Sequence, residues 1–506
     1  MGRRSNGSCV LALDIGTSSV RALLFDTRAK AVPDASAQVP YQPRVAADGT
    51  AEVNPNTLVR LVQQAIDAVL ATDPGRSAKV LGVGISCFWH GLLGTDGDGS
   101  AQTPLYLWSD SRSWQASQEL AARVDVEMVR QRTGCLIHPT YWPAKIEWLR
   151  RSGVASRSER WLSFPDLLFW KLFGRPLTSL SMASGTGLLD LSSCRWDADL
   201  LRLLEVEPDA LTEIAPAAQG LLRAHARNWP ALRHVPWFTG AGDGALANLG
   251  SGCSNVGERG LTVGTSGALR VLERGRPPEI PPGLWCYRLD SERIVVGGAL
   301  NNGGNLYAWL THTLALDGSR LEQRIRKLPP GRHGLTFLPL LAGERSLGFA
   351  SHAAGAIAGL TQATTAEEIA RAGLEAVALQ FAEVDERLDS AMPGAKRLVA
   401  SGHGLLSSPA WMQMMADATG KSVAASRARE ASSRGAAIFA LEQLGLLDGD
   451  RLAPVVGRTY RPDPRTQEAY LQEKARQEAL YDVLIRRRIL DGGKGQTQYA
   501  HLQARY

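Results

Sequence analysis

Two short segments of the chain share the sequence Gly-Thr-Ser between apolar, strand-like runs, and they could bind phosphate. The first is LALDIGTSSVRALLFD at 11–26 and the second is LTVGTSGALRVLE at 261–273. Each pattern predicts a β-hairpin whose tip exposes backbone N–H groups and hydroxyls, and small residues there let the backbone approach an anion closely. An ordinary hairpin turn would explain one copy alone. Two copies in one chain favour a clamp that holds phosphate from both sides.

The two hairpin tips differ in charge. Only the first carries an acid, Asp14, with Arg21 just beyond the turn, whereas Thr262 stands at the place that matches Asp14. A carboxylate beside bound phosphates would repel them unless a cation lay between, so Asp14 predicts Mg²⁺, held directly or through water. The predicted phosphate-side residues of the two tips are Gly16, Thr17, Ser18, Arg21, Gly264 and Thr265.

Between the two halves, the segment HVPWFTGAGDGALANLGSGC at 234–253 contains a carboxylate that could accept a proton. An apolar run ends at Gly242-Asp243-Gly244, and a helix of small residues begins there. Because glycines flank Asp243, a substrate hydroxyl could approach it, and phosphoryl transfer needs a group that accepts the hydroxyl proton. Asp243 is therefore the candidate base. An Asx turn or an N-cap on the following helix is the alternative explanation.

Three further places could contact ligands. Trp89 and His90 end a strand and precede a glycine, so they could present an aromatic wall and an imidazole to a polyol. A packed core histidine is the local alternative. Gly303-Gly304 and Gly402-His403 lie where a strand gives way to a helix, so they could admit a ribose and an adenine ring.

The elements that must position these residues follow an alternating α/β pattern. Asn54 and Pro55 predict the N-cap and first turn of a helix, and VLGVGIS at 80–86 predicts the strand before Trp89. In the second half, Thr365 opens a helix with a capping box, RLVASGHGLL at 397–406 predicts a strand plus a loop, and a further helix ends at Gly420. The stretch 195–235 gives no assignment. A duplicated α/β unit predicts two lobes that face each other over a nucleotide.

Length and composition exclude several classes of protein. A chain of 506 residues predicts two domains. The net charge of +6 and the pI of about 9.0 are modest, and the arginines are scattered, which argues against nucleic-acid binding. The run of three arginines at 486–488 predicts a helix end that is exposed to solvent. The six cysteines lack zinc or redox spacing, which indicates reduced thiols in a cytoplasmic protein. No apolar segment approaches the ~20 residues of a membrane helix.

Together these motifs resemble the FGGY family of carbohydrate kinases, which belongs to the actin/Hsp70/sugar-kinase superfamily. The resemblance extends to about residue 490, and within the family it is closest to gluconate kinases through TGCLIHPTYWPAKIEWL at 133–149, SMASGTGLLDL, Asn301, Asn302 and SCFWHG. The signature segments, in family order, are LALDIGTSSVRALLFD, GISCFWHGLL, TGAGDGALANLGSG, LTVGTSGALR, GGALNNGGNLYAWL, FLPLLAGERSLGF, GLEAVALQF, ASGHGLLSSPAWMQMMAD and EASSRGAAIFAL.

The resemblance implies an α/β fold of two duplicated ribonuclease H-like (actin-like ATPase) domains with the active site in the cleft between the lobes. The implied boundaries are 1–252 for an N-terminal sugar-binding lobe, 253–490 for a C-terminal nucleotide-binding lobe and 491–506 for a tail. The implied reaction is transfer of the γ-phosphoryl group of ATP to a hydroxyl of a sugar, sugar acid or polyol, with Mg²⁺ as cofactor. A small-molecule carbohydrate is the implied partner, without nucleic acid or membrane, and a homodimer is one compatible assembly.

By matching position, the resemblance also implies a role for each candidate residue. Asp243 becomes the general base in contact with the substrate, and Asp14 the carboxylate on the Mg²⁺ side. The other implied residues are Thr17, Ser18, Gly264 and Thr265 for phosphate, Gly303, Gly304, Gly402 and His403 for the nucleoside, and Trp89 and His90 for the sugar.

Four positions depart from the family pattern. His403 stands where a glycine is usual, Leu347 replaces a usual proline, and Ala354 lies where Ala-Arg-Gly is common. Phe88 and Trp89 are bulkier than the pair of residues usual before the histidine, so the substrate could be smaller than gluconate or differ from it in shape. A catalytically degenerate sensor that binds sugar and nucleotide therefore stays an alternative, as does a nucleotide-switched ATPase like actin or Hsp70.

Overall fold

The computed structural model describes residues 7–351 and 353–487, without the side chain of Ser319. The predicted tail at 491–506 and the last arginine of the basic run at 486–488 lie outside these residues. Within the described ranges, no helix has both the length and the apolar character that crossing a bilayer demands.

Strands occur along both halves of the described chain. In chain order they are β1 (Ser8–Ile15), β2 (Ser19–Asp26), β3 (Ala31–Pro40), β4 (Arg44–Val45), β5 (Ala51–Val53), β6 (Lys79–Cys87), β7 (Leu93–Thr95), β8 (Leu105–Tyr106), β9 (Arg160–Leu162), β10 (Leu189–Asp190), β11 (Arg195–Trp196), β12 (Ala217–Ala218), β13 (Trp237–Phe238), β14 (Ala241–Gly242), β15 (Glu258–Val263), β16 (Gly267–Arg274), β17 (Trp285–Arg288), β18 (Arg293–Leu300), β19 (Thr336–Leu338), β20 (Ala356–Ala358), β21 (Arg397–Ser401), β22 (Ser422–Ser426) and β23 (Val456–Tyr460).

Helices alternate with these strands. They are α1 (Pro55–Ala71), α2 (Asp73–Arg76), α3 (Trp114–Ala121), α4 (Val126–Thr133), α5 (Trp142–Ser152), α6 (Phe164–Phe173), α7 (Leu180–Ser184), α8 (Ala198–Leu204), α9 (Arg223–Asn228), α10 (Asp243–Gly250), α11 (Gly304–Thr313), α12 (Gly318–Lys327), α13 (Ala366–Ala391), α14 (His403–Leu406), α15 (Pro409–Thr419), α16 (Ala431–Gln443) and α17 (Gln467–Tyr481).

The two largest sheets repeat one topology. The first has the strand order β12-β13-β6-β1-β2-β3, with β14 beside β6, and the second has the order β17-β18-β16-β15-β21-β22-β23. In the first sheet β1, β2 and β3 are antiparallel, and β6 then runs parallel to β1. In the second, β15, β16 and β18 are antiparallel, and β21 then runs parallel to β15. Both Gly-Thr-Ser segments are hairpin tips, so the predicted duplicated α/β fold is confirmed.

Local capping signals place the helices as predicted. The Asn54 side chain accepts a hydrogen bond from Thr57 N at 2.9 Å at the start of α1, and Thr365 and Glu368 form the capping box of α13. α15 begins at Pro409 and is capped at its C-terminus by Gly420. The loop predicted after β21 is wrong in one respect. Gly402, with a φ of 87°, turns the chain directly into the short helix α14.

Helix α16 lies late in the chain but packs on the first sheet. Its buried face, from Ala436 to Leu441, belongs to the same apolar core as β1 and β6, and the helix also contacts α10. The approach to α10 is close, because a Cβ atom on Gly435 would lie 1.9 Å from the carbonyl oxygen of Leu246. The second half therefore contributes to the core of the first lobe, because α16, which lies between β22 and β23 in the chain, packs on the first sheet.

Candidate active site

Two candidate carboxylates lie at the carboxyl ends of neighbouring strands in the first sheet. Asp14 lies near the end of β1 and pairs with Ser86 on β6. On the other side of β6, Gly242 of β14 pairs with Cys87, and Asp243 follows as the first residue of α10. Asp14 and Asp243 therefore flank the end of β6. Parallel pairing of three strands brings together two acids that are far apart in sequence.

Asp14 is a buried carboxylate with a mixed set of neighbours. Its Oδ1 accepts a hydrogen bond from Ser86 Oγ at 2.8 Å, and Arg21 Nη1 lies 3.5 Å from Oδ2. Arg21 also pairs at 3.0 Å with Glu430, the residue before α16. Burial raises the pKa of Asp14 to about 6, and the negative charge of Asp243 adds to the rise. A cation beside Asp14 would favour its ionised form.

Asp243 is partly exposed where β14 ends beside β6, and we call the space next to its carboxylate the pocket. The N-cap position of α10 is occupied by Gly242, so Asp243 does not take the N-cap position considered for it. Among the described residues Asp243 forms no ion pair within 4 Å. Burial raises the pKa of its carboxyl, while the charges of Arg270 and Arg345 and the Gly244 backbone N–H act in the opposite direction. Two cations thus favour the ionised carboxylate that a base requires.

Trp89 and His90 lie directly behind this carboxylate, and each is only 6% exposed. A Cβ atom on Gly242 would lie 1.8 Å from Trp89 Cε2, so the absence of a side chain there makes room for the indole. His90 adopts a φ of 68°, and its Nδ1 lies 2.5 Å from the carbonyl oxygen of Gly185. Burial lowers the pKa of His90 to about 3, so the ring is neutral. Nδ1 then donates to the carbonyl, which leaves Nε2 as an acceptor for a ligand hydroxyl.

An aromatic cluster connects the two lobes beside these residues. The hydroxyls of Tyr141 and Tyr287 lie 2.7 Å apart, and Tyr287 belongs to β17 of the second sheet. The Tyr287 ring stacks on Trp285 with a centroid distance of 4.4 Å and approaches Trp89 at 4.9 Å. The His90 ring lies 5.0 Å from that of Tyr141. Aromatic side chains from both halves therefore pack together beside Trp89 and His90.

The glycine-rich segments of the second half converge at the second hairpin tip. Gly304 N donates to Gly264 O at 2.8 Å, and Asn305 N donates to Thr265 O at 3.1 Å. A Cβ atom on Gly304 would lie 2.4 Å from Gly264 O, and one on Gly402 would lie 2.4 Å from Val263 O. Three backbone segments thus meet where side chains would not fit, and such an arrangement suits close approach of backbone N–H groups to a ligand.

The remaining candidate residues lie at the first hairpin tip and at the starts of α11 and α14. Gly303 precedes α11, and His403 is exposed at the start of α14, so its side chain does not fill the glycine junction. In the first tip Gly16 and Thr17 are partly exposed and Ser18 is exposed, as phosphate contacts require.

Two cations near Asp243, Arg270 and Arg345, are not predicted by the sequence motifs. Arg270 stands in GALRVLE, just after the second hairpin tip, where a charged residue interrupts an otherwise apolar strand. Arg345 stands in the segment AGERS. A charge placed within a strand that is buried on both faces is the signal that could have identified Arg270.

Duplicated sheets with a carboxylate in the pocket between them are typical of two-lobed, actin-like phosphotransferases. The comparisons specify the family. The model of the N-terminal domain of the FGGY family of carbohydrate kinases matches residues 9–250, and that of the C-terminal domain matches residues 261–443. The chain belongs to the FGGY family of carbohydrate kinases, and it is a phosphotransferase with an alcohol acceptor.

Individual relatives cover nearly the whole chain. The gluconokinase of Bacillus subtilis (strain 168) is 30% identical over 488 residues, which are 90% of this chain and 92% of the relative. A glycerol kinase of Citrifermentans bemidjiense is 28% identical, with 92% of this chain and 96% of the relative covered. The crystal structure of a gluconate kinase from Lactobacillus acidophilus superposes with a TM-score of 0.87 at 26% identity over 94% of this chain and 98% of that one. The predicted resemblance and the two-lobed fold are thereby confirmed.

Proposed function

We propose that this kinase transfers the γ-phosphoryl group of ATP to the terminal hydroxyl of a sugar acid, with gluconate as the first substrate to test. The observation that carries the proposal is Asp243, a carboxylate that faces the pocket without an ion pair and beside two cations. Similarity to a gluconokinase and to a gluconate kinase structure supports the substrate class. Glycerol and xylulose kinases are also similar to the chain, so the substrate requires its own test.

The residues of the pocket fit the steps of phosphoryl transfer. Asp243 accepts the proton of the substrate hydroxyl, the hydroxyl oxygen bonds to the γ-phosphorus, and the bond from that phosphorus to the leaving ADP oxygen breaks. His90 Nε2 accepts a hydrogen bond from a second hydroxyl and so orients the sugar. Trp89 supplies a flat apolar surface for the sugar carbons. Cleft closure around both ligands excludes the water that would otherwise compete as acceptor.

The two hairpin tips are the proposed phosphate clamp, and Asp14 is the proposed Mg²⁺ ligand. Within the described residues no three side chains of the ligating types lie together. Mg²⁺ in nucleotide sites is commonly held by one or two carboxylates with phosphate oxygens and water, which fits a single buried acid beside the first tip. When bound there, Mg²⁺ would offset the negative charge of the phosphates and of the two facing carboxylates. Cytoplasmic location, the absence of nucleic-acid partners and a homodimer stay predictions.

The structure gives no specific support to the two alternatives. The sensor alternative depended on His403 and Ala354, but His403 is exposed beside the glycine junction. The ATPase alternative does not explain why buried aromatic and imidazole groups surround the candidate base.

A coupled assay for ADP release tests the proposal. ATP and Mg²⁺ are supplied with gluconate, xylulose, ribulose, glycerol or erythritol in parallel, and the rate without sugar is subtracted. We expect gluconate or another sugar acid to give sugar-dependent ADP release. If every compound leaves the rate at the sugar-free level while calorimetry still detects binding, the protein is a sensor and the proposal is wrong.

The junction of glycines provides a test of the nucleotide side. Gly304→Ala places a Cβ atom against Gly264 O and displaces the second hairpin tip from α11. Such overpacking costs about 1–3 kcal/mol, so we expect the KM for ATP to rise about tenfold or more with the KM for the sugar unchanged. Initial rates against ATP concentration measure the effect. Gly318→Ala is the matched control. Gly318 begins α12, and a Cβ atom added there would meet no described atom within 4 Å. An unchanged KM for ATP in the folded variant would contradict the nucleotide assignment.

A further inference from the structure

Arg270 is a partly buried cation, and two of its guanidinium nitrogens are shielded from solvent without a partner in the described protein. Its Nε and Nη1 atoms are shielded from solvent and form no hydrogen bond, and among the described residues it forms no ion pair. Burial lowers the pKa of its guanidinium, and the negative charge of Asp243 offsets only part of this effect. Burying a charged group without a partner is costly, so such a group indicates a ligand that completes it.

The position of Arg270 directs the guanidinium to the sugar side of the pocket. Arg270 lies on β16, and a Cβ atom on Gly244 would lie 2.9 Å from its Nε and 2.9 Å from Trp89 Cζ3. The guanidinium therefore lies against the first turn of α10 and beside the indole that we assign to the sugar. The guanidinium nitrogens lie more than 4 Å from the carboxylate oxygens of Asp243, so the two side chains form no ion pair.

Arg345 adds a second positive charge to the same pocket. Its guanidinium lies 5.0 Å from the ring centroid of Trp108 and, within the described ranges, pairs with no acid. The charge of Arg345 acts on Asp243, on His90 and on Tyr287, so Arg345 lies near enough to add positive potential at this site. Two positive charges thus act on the carboxylate of Asp243.

His138 provides a third unpaired donor. Its Nδ1 accepts a hydrogen bond from Thr140 N at 3.2 Å, so the proton of the neutral ring lies on Nε2. That Nε2 is buried and has no partner in the described chain. Burial and the charge of Arg345 lower the pKa of His138 to about 3, which keeps the ring neutral. Several hydrogen-bond donors of Arg270 and His138 therefore have no acceptor among the described residues.

We propose that the pocket selects a substrate with a carboxylate, and that Arg270 is the residue that binds this carboxylate. Arg345 contributes long-range attraction, and His138 Nε2 donates to a further substrate oxygen. A carboxylate carries acceptors only, and it matches the planar donors of a guanidinium. A neutral polyol of the same length would leave the buried charge without compensation. The inference rests on the proposed function and identifies the residue that decides between acid and neutral sugars.

The test compares two substrates that differ in this one group. The kcat/KM is measured for gluconate and for glucitol, which carries a hydroxymethyl group in place of the carboxylate. We expect the wild type to prefer the acid. Because Arg270 also favours the ionised form of Asp243, Arg270→Gln should lower kcat/KM for both substrates, but about 100-fold more for gluconate than for glucitol, with the KM for ATP little changed. Arg270→Lys keeps the positive charge but loses the planar set of donors. Its preference for gluconate over glucitol should therefore lie between those of the wild type and of Arg270→Gln. Arg274→Gln removes an exposed, ion-paired arginine from the same strand, and it should keep the wild-type preference.

Each contrary outcome has a distinct meaning. Arg270 is not the specificity residue if the folded Gln variant keeps the preference for the acid, or if both substrates lose equally while the KM for ATP rises. A wild type that phosphorylates neutral sugars but no acid overturns this inference and leaves the kinase reaction intact. A wild type that releases no sugar-dependent ADP with any compound overturns the proposed function itself.

Discussion

Asp243→Asn is expected to lower kcat by about 10²–10⁴-fold, the usual contribution of a positioned general base, while ATP binding is kept. The carboxamide has nearly the same shape but cannot accept the hydroxyl proton. The first turn of α10 should be unaffected, because Gly242 and not Asp243 occupies the N-cap position. Steady-state rates with gluconate measure kcat, and calorimetry with ATP measures binding.

A matched control distinguishes the loss of the general base from the loss of a negative charge in general. Asp199 is an exposed acid in the first turn of α8, where it pairs with Arg202. Asp199→Asn makes the same chemical change at a helix start, and it should leave kcat unchanged. Near-normal turnover in Asp243→Asn would remove the role assigned to this carboxylate.

Asp14→Asn is expected to lower kcat/KM by about 100-fold or more and to raise the Mg²⁺ concentration needed for half-maximal rate. The amide lacks the charge that would hold the cation, and metal-assisted stabilisation of phosphate charge contributes several kcal/mol. Rates measured over a Mg²⁺ titration reveal both effects. Ser86→Ala is the control, because it removes the hydrogen-bond donor to Asp14 and keeps the carboxylate. It should lose much less activity and keep the wild-type Mg²⁺ dependence.

The stability of the Asp14 variant distinguishes a lost ligand from a lost fold. Burial raises the pKa of Asp14 to about 6, so the ionised carboxylate disfavours the folded state above that pH, and this penalty disappears as the group is protonated at lower pH. At pH 7 without metal, Asp14→Asn should therefore unfold at no lower temperature than the wild type. A folded variant with unchanged activity and unchanged Mg²⁺ dependence would contradict the assignment of Asp14.

Local sequence signals were sufficient for much of the fold. The two hairpins and the caps of α1, α13 and α15 depend on residues within a few positions of one another, so turn and capping chemistry identify them. The stretch 195–235 escaped assignment because its elements, such as β11, α8 and α9, are only two to seven residues long. The return of α16 to the first lobe was also missed, because its small residues allow burial on several sides and give little periodicity.

The candidate site was only partly accessible from the sequence. Glycines beside Asp243 and beside the hairpin tips are visible in the chain, but the meeting of Asp14 with Asp243 depends on the parallel pairing of β1, β6 and β14. The importance of Arg270 depends on its burial without a partner, a property of the folded molecule. Long-range pairing and desolvation therefore supply what residue spacing does not contain.

Analysis of the reaction products tests the central claim most directly. The protein is incubated with ATP, Mg²⁺ and gluconate, and the products are quantified by phosphorus NMR and mass spectrometry. The account predicts one sugar monophosphate for each ADP, with the phosphate on the terminal hydroxyl and with little free inorganic phosphate. Equal amounts of ADP and inorganic phosphate, formed without any phosphorylated sugar and independently of every sugar supplied, would contradict it.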